Sequence, residues 1–213
     1  VTGTADGDIA AQVATLLEGP RPLPIVQAGH PVLRQPATPY TGQLAAPVLT
    51  ELIAAMHATM LAAPGVGLAA PQIGLSLAVA VLGDPGGLDE ETASVRERRP
   101  VPFRVIINPA YTPIGSEQVA FYEGCLSVRG WQAVTPRWRA VRLTGQDETG
   151  SPVEEVLHGW PARIVQHETD HLAGRLYVDV AEMRSLTGEE YAGLWAGEPV
   201  PTRAARDLGF PLG

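Results

Sequence analysis

The chain has 213 residues, a net charge of −8 and a pI near 5.1, with 45% hydrophobic and 18% charged residues. That length and composition fit a globular protein able to bury its own core, and the acidic balance carries no nucleic-acid signature. No run reaches the roughly 18–20 apolar residues of a membrane span, and a single cysteine, Cys125, excludes an intrachain disulfide and fits a reducing, cytoplasmic setting.

No basic residue precedes Arg21, so a standard secretory leader is not expected. Ile9, Val13, Leu16 and Leu17 recur at helical spacing and predict a first helix, with Asp6 or Asp8 as cap and Gly19-Pro20 as stop. Repeated prolines predict an extended wrap over 20–45. Pro47 opens a second helix with an apolar face of Val48, Leu49, Leu52, Ile53, Met56 and Met60, stopped by Pro64-Gly65. His57 within it reads as a surface or packing histidine. The small residues of Gly65-Val66-Gly67-Leu68-Ala69-Ala70-Pro71-Gln72-Ile73-Gly74 let backbone approach a ligand, but no phosphate-loop Lys-Ser/Thr follows. A buried strand is expected at 76–82, then an exposed, solvated loop at 83–103. Further strands are expected at 104–108, 131–134, 138–146 and 152–158, the last two joined by a turn at 147–150.

The pattern then predicts a helix over 161–173 stopped by Gly174, and an extended piece at 176–180. Thr187-Gly188-Glu189-Glu190 fits a capping box opening a short helix, and 196–213 reads as a C-terminal tail. With no repeat and no linker, this order predicts a single α+β domain over 1–213. Its expected architecture is antiparallel or mixed sheets around the helix at 161–173, with a pair of helices at the N-terminus.

The chemistry concentrates in Gln166-His167-Glu168-Thr169-Asp170-His171-Leu172. His167 and His171, four residues apart on a helix, share one face and can hold one metal ion. Glu168 between them can reach a water on that ion, the H-E-x-x-H arrangement of metal-assisted hydrolysis. A catalytic site of this kind takes a third protein ligand. The extended motif would place a histidine at 177, but that residue is Tyr177. Glu189 or Glu190 stands near the spacing of another class, although Thr187 and Glu190 also fit the capping box. Cys125, as a thiolate, is the third candidate.

Three motifs, Gly65 to Gln72, Glu123-Gly124-Cys125-Leu126-Ser127 and Gln166 to Leu172, occur in the order seen in peptide deformylases, and the chain resembles that family over about half its length. The resemblance implies removal of the N-formyl group from the methionine of nascent peptides, with release of formate. It implies one divalent metal held by Cys125, His167 and His171: Fe2+ in the cell, Zn2+ or Ni2+ after purification. It implies Glu168 as general base, the Gln72 side-chain amide and the Leu126 N–H as oxyanion donors, and Val66, Gly67 and Gly124 on the substrate side. A monomer working near the ribosome surface is expected, with no membrane or nucleic-acid partner.

Glu123 is expected to pair with Arg137 behind the metal. Arg129 and Gln132 depart from the commonest family pattern, where proline and arginine are frequent, and bear on substrate preference. Two rival readings remain at this stage: a zinc endopeptidase using Glu189 or Glu190, and a metal-stabilised protein that binds peptides without turning them over.

Overall fold

The computed structural model describes the backbone of residues 3–212 and the side chains of 9–212. The protein is α+β, with two antiparallel sheets among the described residues. The larger has the order β1 (Gly67–Ala69), β2 (Val79–Asp84), β3 (Val101–Pro113), β6 (Ala140–Gln146) and β7 (Pro152–His158). The smaller joins β4 (Gln118–Gly124), β5 (Trp131–Trp138) and β8 (Thr187–Gly188).

Side-chain alternation along the strands explains how helices cover both faces of the larger sheet. Val79 and Val81 of β2, with Val105 and Ile107 of β3, meet Leu49, Leu52, Met56 and Met60 of helix α2 (Ala46–Ala62). Ile9 and Val13 of α1 (Gly3–Glu18) join that layer. Ala80, Leu82, Ile106 and Leu143 point the other way, against Ile164, Val165 and Leu172 of α4 (Gly159–Leu172). α4 therefore lies on the sheet, with its remaining faces turned to β4 and β5. Gly174, at φ +75°, ends the turn after it and lies so close to the backbone of Arg34 and Gln35 that a Cβ would clash.

Several local expectations are corrected. α1 is already helical at Asp6 and Asp8, whose side chains lie outside those described. The strand expected at 76–82 is β2, which starts at Val79, because Leu77 instead bridges Thr38. The strand expected at 104–108 is the longer β3, bent where Asn108 (φ +50°) uses its side chain to bond the Tyr40 backbone. β5 likewise continues to Trp138. Residues 83–103 are not simply a solvated loop. They hold α3 (Glu90–Val95), capped by the Asp89 carboxylate, followed by a buried Arg96 that donates to the carbonyls of Ala196, Glu198 and Pro199. Arg98 pairs with Asp84 inside the segment, and Glu97 with Arg139 outside it. Residues Tyr177–Asp179 form a 3-10 turn rather than an extended piece. Thr187 is drawn into β8 opposite Gln132, so no capping box forms, and α5 (Glu189–Trp195) starts after Gly188 without a side-chain cap. The expected tail contains α6 (Thr202–Leu208), and Ala204 and Phe210 are buried against Tyr122 and Val134.

Candidate metal centre and substrate cavity

α4 sets His167 and His171 one turn apart, with their Nε2 atoms 3.2 Å from each other. Cys125 sits in the turn that leaves β4, and its Sγ is 3.3 Å from His171 Nε2. The three donor atoms lie within 4.8 Å of one another. A four-coordinate ion with typical metal–nitrogen and metal–sulfur bonds needs its ligands about 3.3–3.6 Å apart. The convergence and the donor chemistry, one thiol and two imidazoles, therefore fit a divalent borderline ion.

The Cys125 loop is held by its own backbone. Val128 N–H donates to Cys125 O at 2.9 Å, and Ser127 N–H points at Sγ at 3.4 Å. Gln72 is delivered by the 3-10 turn Ala70–Ile73. Its Oε1 accepts from Ala69 N–H at 2.8 Å, which turns the amide NH2 towards Cys125 Sγ at 3.6 Å and Ser127 Oγ at 3.4 Å. The Leu126 N–H has no protein acceptor among the described residues.

Glu168 is buried against Gly67: a Cβ on Gly67 would stand 2.1 Å from its Oε1, so any side chain there would have to displace the carboxylate. Its Oε2 is buried with no protein partner among the described residues, and burial pushes the carboxyl pKa up to about 7.

Behind His167 lies a buried ionic cluster. Glu123 Oε2 meets His167 Nδ1 at 3.1 Å, which leaves Nε2 for a metal. The expected Glu123–Arg137 pair is present as two bonds of 3.0 Å. Sequence reasoning missed Arg163, which donates to Glu123 Oε1 at 2.6 Å, and Asp170, which accepts from Arg137 at 2.5 Å. Arg163 stands four residues before His167, on the same helix face, and a charged residue there was the available signal. Burial alone would raise the Glu123 carboxyl, but Arg137, Arg163 and His167 hold it well below the usual carboxylate range. Burial lowers Arg163 to about 10.

The other candidate ligands do not join the cluster. Tyr177 lies beside His167, ring centroids 6.3 Å apart, and donates its OH to Trp131 O. Glu189 lines the adjoining cavity, Glu190 is exposed, and neither belongs to the converging group. His57 stacks on Phe103 at 3.8 Å, a packing role. The cavity in front of the three ligands measures about 680 Å3. Val66, Gly67, Gly124 and Leu126 line it, as do Arg129 and Gln132. Trp160 lines it too, and so does Arg98, which brings part of the segment expected to be solvated into its wall.

Residues 22–186 match the family described as Polypeptide deformylase. The chain belongs to this family. Its members are metal-dependent hydrolases that remove the N-formyl group from nascent peptides, and this deformylase is such an enzyme. It is 55% identical over 211 residues to peptide deformylase 3 of Streptomyces avermitilis, covering 99% of this chain and 94% of that protein. Identity to the peptide deformylase of Bifidobacterium adolescentis is 56% over 191 residues, covering 89% of this chain and 87% of that protein. Among solved structures, the Met-Ala-Ser-bound class I type b peptide deformylase from Acinetobacter baumannii matches with a TM-score of 0.67 at 36% identity. That match covers 74% of this chain and 97% of the other. No helix among the described residues is long and apolar enough to cross a membrane.

Proposed function

We propose that this chain deformylates N-formyl-methionyl peptides with one divalent ion held by Cys125, His167 and His171, and with Glu168 as its proton carrier. The observation that carries the proposal is the convergence of three ligand atoms beside a buried, unpartnered carboxylate oxygen. When bound, the ion supplies Lewis acidity, which acidifies water and polarises a carbonyl. Fe2+ is the proposed ion in the cell, and Zn2+ or Ni2+ after purification, since a thiolate–imidazole set accepts each.

Glu168 takes a proton from the water that attacks the formyl carbon and passes it to the leaving amine nitrogen. The carbon–nitrogen bond breaks, formate leaves, and a free N-terminus remains. The Gln72 amide and the Leu126 N–H donate to the oxygen that gains negative charge. Gln72 is oriented beforehand by Ala69, and such donors contribute about 2.7–4 kcal/mol each in other acyl-transfer sites. β1 is an edge strand, so the Gly67 backbone is placed to pair with an extended substrate. Gly124 lines the same cavity. An unbranched thioether suits the slot beside Val66, Ile164 and the His167 ring. The Acinetobacter relative, solved with Met-Ala-Ser bound, supports a Met-first peptide. Arg129 and Gln132 are placed to tune preference beyond that methionine.

We extend the proposal to the whole chain. Residues 1–213 form one catalytic domain built around α4, with α1 and α2 as an N-terminal helix pair. It acts as a cytoplasmic monomer on peptides leaving the ribosome surface. The test of the ligand set compares Cys125→Ala with Glu189→Gln and Glu190→Gln. Cys125→Ala should lose metal and formate release while both glutamate variants keep them. Full metal in Cys125→Ala would contradict the proposal.

A further inference from the structure

Asp170 belongs to the motif that carries the two histidines, yet neither the ligand set nor the proton transfer uses it. It is buried and points away from the cavity, into a set of bonds that leads back to His167. Its Oδ2 accepts from Arg137 Nη1 at 2.5 Å; its Oδ1 accepts from Tyr111 OH at 3.2 Å and lies 2.9 Å from Arg175 Nη2 in an ion pair. The other edge of the Arg137 guanidinium reaches both Glu123 oxygens, each at 3.0 Å. Glu123 in turn meets His167 Nδ1 at 3.1 Å.

We infer that Asp170 is a positioning residue for the metal site, acting on the His167 imidazole through Arg137 and Glu123. A planar guanidinium held between two carboxylates cannot rotate, and it therefore locks the plane of Glu123. A locked Glu123 fixes which His167 nitrogen carries the proton and aims Nε2 at the cleft. Asp170 also balances charge. Glu123 alone faces two buried arginines, Arg137 and Arg163, so without Asp170 a buried positive excess would stand next to a cation site. A second cavity, about 190 Å3 and lined by Tyr111, Trp138 and Arg175, touches both Asp170 and Arg137 from behind. A change at Asp170 therefore meets that space as well as packed core.

The inference rests on the proposed ligand set, and the test separates the two. Wild type, Asp170→Asn, Glu123→Gln and the double variant are loaded with Co2+. Affinity is measured by chelator competition, and the visible Co2+ spectrum is recorded. Asp170→Asn should weaken Co2+ about tenfold and shift the spectrum, as loss of a partner behind a metal ligand does elsewhere. Glu123→Gln should weaken it at least as much, and the double variant no further. Wild-type affinity and spectrum in Asp170→Asn would overturn the inference even if thermal stability fell, since Asp170 would then serve the fold alone. Simple additivity of the two losses would overturn it as well. Should Asp170→Asn fail to fold, Tyr111→Phe removes one of Asp170's partners and keeps the carboxylate. A smaller spectral shift in the same direction then supports the inference, and an unchanged spectrum rejects it. A wild type that takes up no Co2+ would instead sink the ligand set itself.

Discussion

Glu123 and Glu154 each meet an arginine at about 3 Å, but in different surroundings. The Glu123–Arg137 bonds are 3.0 Å with both side chains 4% exposed, whereas the Arg142–Glu154 bond is 2.8 Å with side chains 48% and 63% exposed. On the β6–β7 face, water and salt screen the attraction, and two long side chains lose freedom to make one contact. Behind α4 the paired side chains are buried, so each charge there depends on the others. Similar distances thus describe a dispensable contact on the surface and a geometric constraint in the interior. The constraint lies directly behind a candidate metal ligand.

The contrast predicts effects of very different size. Glu123→Ala removes the carboxylate partner of the buried Arg163 and one of the two of Arg137, and denaturant titration should show a loss of about 3–5 kcal/mol. A loss under about 1 kcal/mol, the surface range, would erase the distinction. Gly67→Ala tests the interior in function: its Cβ would displace the Glu168 carboxylate, and misplacing a reacting group by about 1 Å costs on the order of 100-fold. Turnover near wild type at full metal loading would show that Glu168 is not held there. Arg142→Ala removes the surface pair, and unfolding free energy should stay within about 0.5 kcal/mol of wild type.

The smallest effect is a pH dependence. The hydrogen bond from Arg139 holds the Glu97 carboxyl below its ordinary value of 4.5. Its stabilisation is therefore complete above that value and disappears as pH falls through the depressed one. Both side chains are partly exposed, which keeps the effect slight. Stability curves of wild type and Glu97→Gln should converge on acidification, and parallel curves would show no linkage.

The same division explains what could be read from the sequence. The face of α2 was legible because Leu52, Met56 and Met60 repeat at the helical period and are buried. The two histidines were legible because their spacing is local. Cys125 and Gln72 reached the site through matched motifs, since no local rule brings residues 53 positions apart together. Arg163 and Asp170 were missed because a charged residue reads as exposed until its partner is known, and their partners lie 40 and 33 positions away. The polar segment at 83–103 misled for the same reason. Arg96 looks solvated in sequence, but its guanidinium lies over Phe121 and Trp160 and bonds three carbonyls of a distant segment. α3 and α6, of six and seven residues, are too short to show a period. Thr187 was read as a cap because pairing with β5 is not encoded nearby.

We assign the proton transfer of deformylation to Glu168, at a site whose metal it does not ligate. The direct measurement is formate release from N-formyl-Met-Ala-Ser by wild type and Glu168→Gln, both anaerobically loaded with Fe2+ or Ni2+, with metal counted in the same samples. Turnover is expected in wild type, and its disappearance in Glu168→Gln at equal metal content. Equal turnover in both proteins would contradict the assignment.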